Sequence, residues 1–223
     1  MRTSHLILVA MASLPVCASA QVAVVAKAGT LGLGADIVAP IFEHANARVG
    51  ANLYNVNRNL NRNGIDYEGK GELRSVSVLG DWFPIRASAF RLTGGLMYNG
   101  NKGKLHAKPM SGSTYEFNGT TYQASDVGTA DGDISWRRMA PYLGIGWGNP
   151  VERATDWSFN MDVGVMFQGA PHARLNVTCG AALPQVQCDQ LQSDAAAEEA
   201  KLKSDTRKYR LFPVLSLGIG KKF

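Results

Sequence analysis

Few residues of this chain could do chemistry, and most of them are charged. Beyond residue 20 the histidines are His44, His106 and His172. A hydrolase built on one of them would need a nucleophile held against it at a strand end. His172 with a loop serine is the conceivable pairing, but no His-x-Ser arrangement occurs, so each histidine is expected to be a surface residue without a catalytic partner. Asp36, Arg48, Asp81, Arg91, Asn160 and Asp162 form a second group, because each falls on the small or polar side of an alternating segment. Charges placed that way either line a conduction path or neutralise one another in a filled interior. Cys179 and Cys188 lie close together in one polar stretch. The glycine-rich Gly29-Thr30-Leu31-Gly32-Leu33-Gly34 run has no helix after it and is not a phosphate-binding loop.

The elements that must position these residues are strands. In Leu211 to Phe223, one side carries Leu211, Pro213, Leu215, Leu217, Ile219 and Phe223, with Lys221 as its single charge. Phe212, Val214, Ser216, Gly218, Gly220 and Lys222 lie on the other. The same period of two places Leu31, Leu33, Ala35 and Ile37 opposite Asp36, and Val49, Ala51 and Leu53 opposite Arg48. Val76, Val78 and Trp82 oppose Asp81, and Phe90, Leu92, Leu96 and Tyr98 oppose Arg91. Met139 to Trp147 and Trp157 to Phe167 alternate most regularly, each over about ten residues, the length of a bilayer-crossing strand. Between them, Asn55 to Gly69 and Gly100 to Ser135 are expected to be polar loops. An Asn118-Gly119 hairpin in the second is expected to extend the sheet above the membrane. Within Gln168 to Lys208, Ser193 is expected to cap a short helix running to Lys203.

Composition agrees with such an architecture. The chain has 223 residues, 45% hydrophobic, and 24 glycines. Its mean hydropathy of −0.10 is what alternating lipid-facing and interior residues produce. Residues Met1 to Ala20 read as a signal peptide, with Arg2 at the positive end, Leu6 to Val16 as the apolar core and Ala18-Ser19-Ala20 as the cleavage site. A lipoprotein acylated at Cys17 is the competing reading. Residues 21–223 then form one domain. An exported chain meets an oxidising compartment, so Cys179 and Cys188 are expected to pair. The net charge of +5 is spread among acidic residues, which argues against nucleic acid as a partner.

Trp82, Trp147, Trp157 and Phe223 all lie beside short turns or the terminus, as one aromatic girdle would require, and Tyr54, Tyr98 and Tyr209 lie at the long-loop ends as the other. Seven strands are clear, whereas barrels of this type have even numbers. An eighth is expected, either at Val22 to Ala28 or at Ala173 to Thr178, the latter reversing the sidedness.

The leader, the alternating segments and the Phe223 ending resemble small bacterial outer-membrane β-barrel proteins of the OmpA, OmpX and OmpW kind. The resemblance spans nearly all of the chain after residue 20, as a pattern of architecture without a subfamily motif. It implies an all-β, antiparallel transmembrane barrel of eight strands with long extracellular loops. It also implies export through the periplasm to the outer membrane, contact with membrane lipid and lipopolysaccharide, and assembly by the barrel-insertion machinery. A monomer without cofactor or metal is expected. Side chains fill an eight-stranded interior, so the expected role is structural or surface interaction, with no catalytic residues. A narrow pore for small solutes or ions and a lipid A-modifying enzyme are the alternatives.

Overall fold

The computed structural model describes residues 21–62, 65–85, 88–109, 112–152, 155–181 and 183–223. The leader and Cys17 lie outside the described residues. Eight strands close into an antiparallel barrel: β1 (Ala23–Gly29), β2 (Gly32–Phe42), β3 (Ala45–Arg62), β4 (Ile65–Trp82), β5 (Phe90–Asn99), β10 (Met139–Trp147), β11 (Trp157–Phe167) and β13 (Leu211–Lys222). The first and last strands form the seam, from Ala23 opposite Lys222 to Gly29 opposite Ser216. The Phe223 amide also donates to the Val22 carbonyl at 2.9 Å. The eighth strand is therefore β1, at the earlier of the two expected places.

The barrel's outer surface is apolar throughout the crossing region. Leu33 is 68% exposed, Val78 60%, Leu143 61% and Ile219 58%. Each such side chain would gain about 1.5–3 kcal/mol from leaving water, so a continuous belt of them belongs in hydrocarbon. Closure supplies every backbone N–H and C=O in that belt with a neighbour, the condition for a sheet to cross a bilayer. Among the described residues no helix is long and apolar enough to cross a membrane.

Five expectations require correction. Asn55 to Gly69 is not a loop: β3 and β4 remain paired from Ala45 opposite Trp82 up to Arg62 opposite Ile65. Beyond Leu53 the residues of β3 carry no apolar alternation, while the pairing continues. Gly100 to Ser135 is also mostly sheet. There β6 (Lys102–Pro109) adds to the upper half of β4, and β9 (Val127–Ser135) adds to β6. The strand β12 (His172–Cys179) adds in turn to β9. The second candidate for an eighth barrel strand is thus a strand, but one of this upper wall. The Asn118-Gly119 hairpin, β7 (Thr114–Phe117) with β8 (Thr120–Gln123), does not extend that sheet as expected but forms its own small one, because its faces pack on the helix. Asn118 and Gly119 have φ of 52° and 83°, the left-handed pair that a type I′ turn demands. Leu31 faces inward and is buried, because the turn into β2 passes through Gly32 at φ 97°.

The helix is the fifth correction. α1 spans Gln185–Thr206, with Pro184 at the N-cap, so Ser193 lies in its interior. Proline pre-sets the entry angle of the first turn, and the Cys179–Cys188 disulfide ties that turn to the end of β12. Leu191 and Ala195 pack with Tyr115, Phe117 and Tyr122 of the small hairpin and with Ala107, Ala130 and Val177 of the upper wall. Those last three occupy facing positions on adjacent strands, so hairpin and helix cover one face of the wall.

Asp194 of α1 fastens the hairpin. It is buried and accepts from Tyr122 Oη at 2.6 Å and Asn118 Nδ2 at 3.3 Å. The Tyr122 bond, opposed by burial, holds its carboxyl below the ordinary value of 3.8. Burial, then the same bond, raises Tyr122 to about 12. A carboxyl depressed in the folded state adds stability above its unfolded pKa and loses it as pH falls through the folded value. Acidification below about pH 4, the ordinary carboxylate range, is therefore expected to release the hairpin from α1 while the barrel persists, which hydrogen exchange at Tyr115 to Tyr122 would detect. Asp194→Asn should remove that pH dependence. Separately, Cys188→Ser is expected to raise exchange at the start of α1 and leave the temperature of barrel unfolding, read by gel mobility, unchanged.

Candidate functional site

The lumen gathers the inward charges into one lattice. Arg48 on β3 donates to both Asp162 oxygens, at 3.0 and 3.1 Å, and to Asp81 Oδ1 at 3.0 Å. It also stands 3.6 Å from Asp36. Arg91 reaches Asp162 Oδ1 at 2.8 Å and Asp81 at 3.5 Å, and donates to the Gly148 carbonyl. Thr93 Oγ1 donates to Asp81 at 2.6 Å, and Ser216 Oγ to Asp162 at 3.4 Å. Lys27 on β1 completes it, 2.6 Å from Asp36. Three cations thus balance three carboxylates. β3 and β11 stand opposite each other in the ring of eight, so the Arg48–Asp162 bridge crosses the barrel's full diameter.

Small residues make room for this lattice. A Cβ on Gly50 would come within 1.7 Å of Asp36 Oδ1, and one on Gly146 within 2.9 Å of the Arg91 guanidinium carbon. On one side of the charges lies an apolar layer of Leu31, Leu79, Met97, Tyr142, Met166 and Val214. On the other, Ala23, Val25 and Val38 meet Val151 from the β10–β11 turn. Asn46 binds Asn149 of that turn at 3.0 Å, and Asn160 donates to Ser158 at 3.0 Å. Small voids of about 20 and 10 Å³ border the lattice, each the size of about one water.

Asp36, Arg48, Asp81, Arg91 and Asp162 therefore meet in one network, and Asn160 lies beside it without joining the ion pairs. Lys27 and the layer around Tyr142 and Met97 were not among the expected site residues. Lys27 sits two residues after Val25 on the inward side of β1, a signal hidden by the shortness of that strand. Trp82, Trp147, Trp157 and Phe223 are exposed at the turn end, where Lys221 lies over the Trp157 and Phe223 rings at 5.8 and 5.3 Å. Tyr54, Tyr98 and Tyr209 are exposed towards the opposite end.

The histidines lie apart. His44 is in the β2–β3 turn, His172 begins β12, and His106 on β6 bonds Asp131 on β9. The described contact of His106 is a strand-to-strand hydrogen bond to Asp131 and does not involve a serine.

Removing Asp162 would leave the buried lattice one negative charge short and take the shared carboxylate from both Arg48 and Arg91. Asp162→Ala is expected to destabilise the barrel by about 3–5 kcal/mol, measured as a lowered urea midpoint in detergent. Ser216→Ala, which removes only a 3.4 Å contact, should change it by less than about 1 kcal/mol.

No family model matches the sequence, and no curated protein matches it. Among solved structures, CarO2 of Acinetobacter baumannii aligns over 92% of this chain and 99% of its own, with TM-score 0.60 and 20% identity. CarO of the same organism aligns over 90% and 97%, with TM-score 0.58 and 21% identity. A major outer membrane protein from Thermus thermophilus overlaps more loosely, at TM-score 0.45 and 13% identity over 92% of this chain and 100% of its own. At these identities the likeness speaks for architecture and not for activity. In fold, the chain is a small closed antiparallel β-barrel of eight strands with an apolar exterior.

Proposed function

We propose that this protein resides in the bacterial outer membrane as a closed barrel that anchors an extracellular platform, with a structural or surface-interaction role. The observation that carries the reading is the diametric Arg48–Asp162 bridge between two apolar layers. A solute passing along the axis would have to separate buried, charge-neutral pairs and displace packed side chains on both sides of them. A conduction path is lined by water instead. The upper wall, with hairpin and helix packed on it, gives the barrel a large outward structure for contacts with the surroundings. No catalytic role is assigned to any residue in this reading.

Purified, refolded protein in planar bilayers tests it. Wild type is expected to show no steady, reproducible openings, and Arg48→Ala is expected to show none that scale with solute size. Reproducible wild-type openings altered by Asp162→Asn or Arg91→Gln would instead establish the pore. An unchanged lipid A mass spectrum from cells with and without the protein would dispose of the lipid-modifying alternative.

A further inference from the structure

The Cys179–Cys188 disulfide joins two sulfurs in unlike surroundings. Cys179 ends β12, where the pairing with β9 shifts register, and packs with Leu175 and Leu183 against the apolar cluster beneath α1. Apolar surroundings disfavour a thiolate. Cys188 lies in the first turn of α1, a helix of 22 residues. Helical side chains lean back towards the N-terminus, so its sulfur is set towards the first-turn amides. Pro184 at the N-cap offers those amides no side-chain acceptor, and no acidic residue stands in that turn. They remain a source of positive potential. Gln192, one turn on, directs Nε2 at Cys188 Sγ at 3.8 Å. The neighbouring carboxylate, Asp189, is occupied by Gln185 Nε2 at 2.8 Å. A thiolate is therefore better supported at Cys188 than at Cys179.

The bond is also within reach of a small reagent. Both cysteines are half-buried, and Gln185, Val186 and Gln187 beside Cys188 are exposed. The first residue of α1 buried on the wall is Leu191, so opening the bond would free the start of the helix without disturbing its apolar contacts.

We propose that this disulfide is an exchange site for external thiols. The thiolate of a small monothiol, of the glutathione class, attacks Cys179 Sγ. A mixed disulfide forms between that thiol and Cys179, the Cys179–Cys188 bond breaks, and its electron pair leaves on Cys188 as a thiolate. A second thiolate then attacks the reagent's sulfur in the mixed disulfide. This releases the reagent's own disulfide and leaves Cys179 as a thiolate, the protein having gained two electrons. Both thiolates take protons from water. The direction follows from leaving-group order, since the sulfur of lower thiol pKa departs faster. The start of α1 is released as far as Leu191, while Asp194 keeps its bonds to Tyr122 and Asn118. This chemistry is independent of the function proposed above, because it requires neither a closed lumen nor a membrane.

The test uses the full chain, refolded in detergent with its disulfide formed and incubated with reduced glutathione. Samples are quenched with iodoacetamide and mapped by peptide mass spectrometry. The expected early product carries glutathione on Cys179 and the alkyl group on Cys188, formed while gel mobility still reports a closed barrel. Gln192 is exposed, so Gln192→Glu leaves the core intact. It sets a carboxylate against the departing sulfur and should slow exchange roughly tenfold. Ser193→Glu, which adds the same charge at the next residue, should exchange as wild type does. Glutathione on Cys188 with Cys179 alkylated, or equal labelling of the two, would overturn the proposal. So would a Gln192→Glu variant as fast as wild type, an equal slowing in Ser193→Glu, or no mixed disulfide until the barrel unfolds.

Discussion

The closed interior depends on one ion pair. Arg48 and Asp162 lie on opposite sides of an eight-stranded ring and still meet at 3.0 Å. Charges placed in so narrow an interior lose most of their hydration, and only good geometry with further hydrogen bonds repays that loss. Asp81, Asp36, Arg91, Lys27, Thr93 and Ser216 extend the pair into a network in which seven of the eight strands take part. The eighth, β10, contributes by leaving space, since Gly146 lies under the Arg91 guanidinium. The lattice thereby fixes strand register as well as closing the lumen: a one-residue slip of β3 would turn Arg48 towards lipid.

Hydrocarbon outside and a neutral charge lattice inside are two consequences of one pattern. In a soluble sheet the apolar side is the core; here the apolar side is the exterior and the polar side is packed. The strands therefore need small inward residues, and glycine recurs inside β10, β11 and β13. Above the bilayer the constraint lapses. There the sheet gains an ordinary aqueous core, Leu191 and Ala195 packed on Tyr115, Phe117 and Val177, and the disulfide pins the helix that covers it. The two storeys share β3 and β4 but follow opposite hydrophobic rules.

That division bears on function. The lumen uses its charges on one another, which leaves little for a transported solute. Activity in this molecule is thus expected at its outward surfaces, where exposed charge faces the surroundings.

The period of two, read against hydrocarbon, was enough to identify the barrel, the inward placement of Asp36, Arg48, Asp81, Arg91, Asn160 and Asp162, and the girdle positions of Trp82, Trp147, Trp157 and Phe223. Each follows from alternation along a single strand, which is local information. The extent of β3 and β4 above the bilayer was not legible, because a strand wet on both faces has no apolar period. Neither was the length of α1, whose start is set by Pro184 and by a covalent tie to β12. Only the tertiary structure decided that β1 closes the seam against β13, that Arg48 meets Asp162 across the diameter, and that Asp194 of α1 meets Tyr122 of the small hairpin. Those are juxtapositions of residues far apart in the chain, fixed by ring closure and register, and no local pattern encodes them.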